Sequence, residues 1–471
     1  MDTLIIKDTL LKGLSVEEEN SYKKLEEARK NFEKDAKIDF SICITDEKME
    51  DIEKFSLVYI LKSDPSVEET NSIRRIDCIN AKQMVFELAA QDFNNRKKTV
   101  LLYLGKFPGY GFDIDGGSIL ARQLINLLKV RCNLTVCFIR KNLETFQDPE
   151  VCDVRYVEYI DPWNNKFVRR MENLDTNYQA MKDFENFDIV IAGHISKFFG
   201  MDKCGEDFWK RAIIFPMFCT SSYIRAGENV PEEYTMQEKI VVSNVAKIIT
   251  PSFDEKRDLI TDYNCDENKI DVVYRGITPL IHYEKREKIH SILNIVCIGT
   301  IKKQKNTKET IHLMKILNQN DVPFKLHLVA TIQDKEYYEE FCELVKTDKL
   351  CDYVKYHISI PQSELAELLK EMDINVSMSS WETFGRGIFE GASAGLPTFA
   401  FDMLETVKEL SECNGGFYFA SSVQDMAKRI IEVTSNHELY SYMSEQLGTI
   451  IPKFSYKNEQ NLLRESIFGG V

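Results

Sequence analysis

Apolar positions along the chain alternate between two periodicities. The run Lys97-Lys-Thr-Val-Leu-Leu-Tyr-Leu104 reads as an apolar strand of the kind buried on both faces of a parallel sheet. Over 118–129 the apolar residues Ile119, Leu120, Leu124, Leu127 and Leu128 recur at helical spacing. Residues 134–139 read as a strand again. This β-loop-α-β start predicts a doubly wound domain. The pattern continues with strands over 188–192 and 246–250, a helix over 253–263 and a strand and turn over 269–277. Residues 205–236 read as loop-rich, with Trp209, Phe218, Tyr223 and Tyr234 either lining a channel or covering the sheet. The charged stretch 278–291 reads as a linker.

A second alternation follows it. Strands are expected over 293–298, 324–330, 353–359 and 373–378, with helices from about 307, over 334–345 and over 361–370. Segments 401–407 and 415–419 are expected to continue the sheet, and 457–468 forms a last helix. The first 95 residues are less informative. Ser15-Val-Glu-Glu18 is a capping-box start, and Tyr22, Leu25, Ala28 and Phe32 make a narrow apolar stripe. Strands over 38–44 and 55–61 and a helix over 81–93 make a small α/β extension. Its helix reads as a partner- or acceptor-binding arm, or as a solvated helix laid on the body.

Length allows two or three domains with substantial cores across 471 residues. A net charge of −15 argues against a general nucleic-acid or anionic-membrane binder. The twelve cysteines show no metal-ligand spacing with histidine, so no metal is expected, and they read as reduced thiols of a cytoplasmic protein. The N-terminus has no signal-peptide pattern, and no apolar run approaches the ~20 residues of a membrane span.

The densest chemistry lies in 379–397. Glu382 and Glu390 flank Phe384-Gly385-Arg386-Gly387, and small residues then run from Gly391 to Gly395 before Pro397. With a strand before it, the unit is strand, loop, then a helix starting near Gly387. Helix starts present free N–H groups and a positive dipole end, which attract phosphate. Glu390, one turn in, suits the vicinal hydroxyls of a ribose, and Glu382 sits at a strand end, where open parallel sheets bind ligands. Eight-residue spacing of two acids means little in a chain with 75 of them; the joint pattern carries the weight.

That joint pattern resembles the signature of retaining GT-B glycosyltransferases, specifically glycosyltransferase family four. The resemblance spans roughly residues 98–468. It implies two doubly wound Rossmann-like domains facing a cleft, plus the small extension: 1–95 extension, 96–285 acceptor domain, 286–450 nucleotide-sugar domain, and 451–471 crossing back to the first domain. It implies transfer of a sugar from a nucleotide diphosphate sugar, a UDP-sugar favoured, to an unidentified acceptor, with no cofactor and no metal. Glu382 would orient the donor sugar, His194 would touch that sugar from the other domain, and Lys305 would bind the diphosphate. Gly116 and Gly117 resemble the glycine-rich loop facing the diphosphate and acceptor, with Phe107, Tyr110, Phe112, Asp113 and Asp115 on the acceptor side. His357 and Ile358 mark the nucleobase cradle, and Phe384, Gly385 and Arg386 the loop at the helix start. Thr300 stands where the family carries arginine, so Lys302 or Lys303 would supply that charge. Arg275-Gly276-Ile277 occupies the position of the family's polar-Gly-Ile turn. A non-catalytic partner subunit and a nucleotide-sugar epimerase are the alternatives, and a protein partner through 1–95 stays open.

Overall fold

A computed structural model describes residues 98–105, 116–140, 146–158, 166–217, 219–225, 227–277, 280–412 and 414–469. Before them it describes four backbone strands: β1 (Asp2–Ile6), β2 (Phe40–Ile44), β3 (Val58–Leu61) and β4 (Ile73–Ile76). They pair in parallel in the order β2-β1-β3-β4. β2 and β3 match the expected strands, and β1 and β4 add to them. The helices expected from Ser15 and over 81–93 lie outside the described residues.

The first main sheet holds β5 (Thr99–Leu104), β6 (Asn133–Arg140), β7 (Asp153–Glu158), β8 (Ile189–Ala192), β9 (Ala212–Ile214), β10 (Lys247–Thr250) and β11 (Ile270–Val272). All pairs are parallel, in the order β11-β10-β9-β8-β5-β6-β7. Strand order therefore reverses between β5 and β8, which opens a crevice at their carboxyl ends. The apolar run of β5 feeds two cores. Leu101 and Tyr103 pack on one face, and Val100, Leu102 and Leu104 on the other. Helices cover both faces, which is why this strand lacks polar alternation.

The second sheet repeats the plan with β12 (Leu293–Ile301), β13 (Phe324–Ile332), β14 (Val354–Ile358), β15 (Ile374–Val376), β16 (Thr398–Phe401) and β17 (Phe417–Ala420). Its order is β14-β13-β12-β15-β16-β17, again all parallel. Here the reversal lies between β12 and β15. The last helix, Tyr456–Phe468, crosses to the first domain, where Leu463, Ile467 and Phe468 join the core beneath β5. Phe454, just before it, belongs to the second domain's core. An Ile277–Ser455 bridge and the Ile277 N–H donating to the Phe454 carbonyl at 2.7 Å stitch the crossing.

Several sequence expectations are corrected. The sheet does not continue through 401–407: β16 stops at Phe401, and Glu405–Ser411 is a helix. Residues 205–236 are more ordered than loop-rich: β9 and the helices Glu206–Trp209 and Thr220–Arg225 are too short for periodicity to register, and the helix Glu232–Asn244 buries only Tyr234, Glu238, Val241 and Val242, too sparse a stripe to stand out. The helix expected over 118–129 starts two residues earlier, at Gly116. Residues 280–291 form no strand or helix yet are tied down. Arg286 donates to the Ala394, Lys370 and Leu369 carbonyls at 3.1, 2.8 and 3.0 Å.

Candidate functional site

Two segments far apart in the chain leave the second sheet at its reversal. After β12 comes the tight turn Lys303–Lys305, with Asn306 left-handed (φ 49°) closing it. After β15 comes 377–385 and then the helix Arg386–Ser393. The two loops are laced together. The Gln304 carbonyl accepts the Ser380 N–H at 2.9 Å and its hydroxyl at 3.0 Å, and the Gln304 side chain donates to the Trp381 carbonyl at 2.8 Å.

This lacing brings Lys305 onto Glu382: Lys305 Nζ contacts Glu382 Oε1, which also accepts the Ser379 hydroxyl at 2.7 Å. The pair is mostly shielded from solvent, with side chains 20% and 8% exposed, so water weakens its attraction less than at the surface. Gly299 lies beside the Lys305 stem. Thr300 belongs to β12, and its hydroxyl accepts from Thr331 at 3.5 Å, a marginal bond. Lys302 precedes the turn and its carbonyl accepts the Lys305 N–H at 2.9 Å, while Lys303 is exposed.

The helix expected near Gly387 begins at Arg386. Gly385 caps it with φ 85°, a conformation that favours glycine. Gly387 lies so close to β12 that a Cβ there would sit 2.4 Å from the Ile298 carbonyl oxygen. The absent side chain thus lets the helix start rest on the sheet beside the Lys305 turn. Phe384 turns inward, its ring 5.1 Å from Phe389 and 5.9 Å from Phe454, so it anchors the loop to the core. Glu390 is 3% exposed. Burial pushes its carboxyl up to about 7 against the opposing pull of Arg386 and a hydrogen bond from the Gln362 side chain. Its Oε1 has no partner among the described residues.

His357 and Ile358 end β14. The His357 ring stacks on His327, centroids 5.3 Å apart with planes at 9°, and their nitrogens meet at 3.2 Å. Burial lowers both imidazoles, His327 to about 4. Both rings are therefore neutral near pH 7, and the bond between them needs a proton on one nitrogen only.

On the facing domain, His194 follows β8 at the first sheet's own reversal. Its Nδ1 accepts the Ser196 N–H at 3.1 Å, which puts the ring proton on Nε2. Burial, then the charges of Arg170 and Lys197, hold this imidazole well below its ordinary range, so it is neutral. Gly116 is exposed with open space around it, and Gly117 follows in the first helical turn. Phe107, Tyr110, Phe112, Asp113 and Asp115 lie outside the described residues.

Several contacts tie the domains and the returning helix together near the site, among them Thr406 donating to Asp254 at 2.6 Å and Arg257 pairing with Glu409 at 3.1 Å. Trp381, next to Glu382, meets Tyr223 edge-on with centroids 4.8 Å apart. Glu409 accepts the Phe253 N–H at 2.8 Å, capping the helix Phe253–Tyr263 from the other domain. Glu459 accepts the Gly276 N–H at 2.9 Å and lies 3.7 Å from buried Arg275. The pattern of the sequence did not single out Ser379, Gln304, Trp381 or Gln362. Ser379 and Trp381 lie within the stretch 379–397, beside Glu382, whereas Gln304 and Gln362 carried no local signal.

Two parallel sheets of seven and six strands, crossed by a terminal helix and facing each other at their carboxyl ends, define the GT-B fold of glycosyltransferases. Residues 284–447 match the family glycosyl transferases group 1. The chain is 26% identical over 140 residues to a GDP-Man:Man(3)GlcNAc(2)-PP-Dol alpha-1,2-mannosyltransferase of Dictyostelium discoideum, covering 29% of this chain and 28% of that protein. It spans between 28% and 63% of the lengths of the curated relatives it matches. Sucrose-phosphate synthase from Thermosynechococcus elongatus superposes with a TM-score of 0.67 at 12% identity, over 80% of this chain and 100% of that one. Anabaena Alr3699/HepE, solved in complex with UDP and glucose, gives 0.62 at 14% identity, over 79% and 99%. Among the described residues no helix is long and apolar enough to cross a membrane, and no three His, Cys, Asp or Glu gather as a metal site.

Proposed function

We propose that the protein is a retaining glycosyltransferase that moves a hexose from a nucleotide diphosphate sugar, a UDP-sugar favoured, to an acceptor not yet identified. The single observation that carries this reading is the Lys305–Glu382 pair set at the start of the Arg386 helix, with buried Glu390 one turn behind. Supporting it are the group 1 match over the second domain and a structural neighbour solved with UDP and glucose. These comparisons favour transfer over the partner-subunit and epimerase alternatives.

In the reaction the anomeric C–O bond to the diphosphate breaks, and a bond to the acceptor oxygen forms on the same face. The acceptor proton passes to the departing phosphate oxygen, so no protein base is required. The barrier is set by charge building on the leaving diphosphate, and fixed positive groups aimed there lower it. Lys305 and the N–H groups at the Arg386 helix start supply that charge without a metal. The incoming diphosphate competes with Glu382 for Lys305, freeing the Glu382 carboxylate to accept hydrogen bonds from the sugar. Glu390 holds the ribose, His357 and Ile358 flank the base, and His194 offers its Nε2–H to the sugar. Gly116 and Gly117 face the acceptor side. Thr300 leaves one cation fewer than the family carries, and Lys302 or Lys303 makes up the charge.

The test is a screen of UDP-, GDP- and ADP-sugars for binding and slow hydrolysis, followed by mass spectrometry of products formed with extracted acceptors. NMR of the product's anomeric proton reports retention. Absence of binding to every sugar nucleotide overturns the reading, an inverted product overturns the mechanism, and an epimerised donor installs the epimerase instead.

A further inference from the structure

Both donors that reach Glu382 arrive at one of its oxygens. Lys305 Nζ and the Ser379 hydroxyl, the latter at 2.7 Å, each meet Oε1. Among the described residues no donor reaches Oε2. The two donors are built differently. Lys305 carries its charge on a flexible four-carbon stem and sits in the tight turn after β12. Ser379 is a short side chain, 3% exposed, on a stretch of backbone pinned at both sides. Before it, the Ser377 N–H donates to the Phe399 carbonyl of β16 at 2.8 Å and carries the sheet ladder past β15. After it, the Ser380 N–H donates to the Gln304 carbonyl at 2.9 Å. A hydroxyl has one proton and a carboxylate only accepts, so the Ser379 proton points at Glu382. The Ser377 hydroxyl backs it at 3.4 Å, a marginal bond running in the same direction.

This difference matters once a diphosphate arrives. The phosphate oxygens draw Lys305 away, and Glu382, with its side chain 8% exposed, gives up its cation. A shielded carboxylate left without any donor is unfavourable and free to turn. We infer that Ser379 is a positioning residue for the donor sugar: it keeps hold of Oε1 after Lys305 leaves, so that Glu382 presents Oε2 to a sugar hydroxyl in one fixed orientation. Lys305 then serves the diphosphate and Ser379 serves the sugar, through one shared carboxylate. The inference rests on the donor reading above, which supplies both the diphosphate and the sugar.

The experiment is calorimetric titration of wild type, Ser379→Ala, Ser379→Cys and Ser379→Thr. The probes are whichever of UDP-, GDP- and ADP-glucose wild type binds, and the matching nucleoside diphosphate without the sugar. Cysteine is close to serine in size but a weak donor, whereas threonine keeps the hydroxyl. Ser379→Ala and Ser379→Cys are expected to bind the sugar nucleotide about tenfold or more weakly, as loss of a hydrogen bond to a charged group implies. Both are expected to bind the nucleoside diphosphate as wild type does. Ser379→Thr is expected to keep most of the affinity for the sugar nucleotide. In a Glu382→Gln background, Ser379→Cys is expected to add almost no further loss, because Ser379 acts only through the group it holds. Should Ser379→Ala fail to fold, the contrast between Ser379→Cys and Ser379→Thr decides by itself. Equal losses toward both probes make Ser379 a structural support only and overturn the inference. So do losses as large in Ser379→Thr as in Ser379→Cys, additive losses in the double variant, or a Ser379→Cys variant that binds the sugar nucleotide as wild type does. Failure of wild type to bind any of these nucleotides sinks the donor reading itself, and this inference with it.

Discussion

Glu390→Gln is expected to make the free protein more stable and the liganded protein weaker. The carboxyl is held near 7 in the fold against an ordinary value of 4.5, chiefly because burial penalises its charge, with Arg386 and Gln362 offsetting part of the cost. A raised carboxyl means that the folded state binds more protons than the unfolded one between those two values. Its contribution therefore falls as pH climbs from about 4.5 through 7 and stays lost above that. At ~1.4 kcal/mol per pH unit, the cost is about 1 kcal/mol at pH 5 and about 3 kcal/mol at pH 8. The amide keeps the shape and removes the titration. Glu238 and Glu255, also buried and pushed up to about 7 and about 8, titrate in both proteins and cancel in the difference. Denaturant midpoints of wild type and variant, compared at pH 5 and pH 8, should diverge in the variant's favour, and more at pH 8. Saturating nucleotide should stabilise wild type more than the variant, because only the wild type keeps a carboxylate for the ribose while both keep Lys305 for the diphosphate. A variant equally less stable at both pH values would refute the reasoning, since the carboxylate would then be an anchor of the fold.

Lys305→Met should slow turnover by about 10²–10³-fold with a smaller change in KM, read from initial rates, as for loss of a group that meets developing charge; an unchanged kcat counts against the role. Gly387→Ala places a Cβ 2.4 Å from the Ile298 carbonyl oxygen, and backbone cannot yield as a side-chain tip does. That substitution should cost about 1–3 kcal/mol in denaturation and also weaken nucleotide binding, because the helix start must lift from β12. Trp381→Ala removes the edge contact to Tyr223, of the kind that contributes about 0.5–1.5 kcal/mol. It should lower kcat, because the contact holds the Glu382 loop against the facing domain, while nucleotide affinity stays near wild type, and Trp381→Phe should recover most of the rate; a Trp381→Ala enzyme with full kcat argues against that holding role.

The long apolar runs and the helical stripes were plain in the sequence because burial on both faces of a parallel sheet leaves little freedom in residue type. β5, β12 and β13 are examples, as is the helix Phe253–Tyr263, framed by Ser252 at its start and left-handed Asn264 at its end. Short elements escaped, and so did the longer helices Glu232–Asn244, Val423–Ser435 and His437–Ile450. β9 has three residues, too few for a period, and the tract after Phe401 turned to helix although its apolar content suited a strand. The cluster 382–390 was legible as a loop and helix start, since glycines, acids and a following run of small residues act over a few positions.

Local pattern alone thus determined two alternating βα halves and a phosphate-suited helix start in the second. Tertiary structure decided which partners that helix start has. Lys305 and Glu382 are 77 positions apart and meet because β12 and β15 are sheet neighbours at a reversal of strand order. Gln362 reaches Glu390 because two helices share one face of that sheet, and Trp381 reaches Tyr223 because a second domain stands opposite. Periodicity reports only what is near in the chain, whereas burial of Glu390 and contact across a cleft arise from packing of distant segments, which no single stretch encodes.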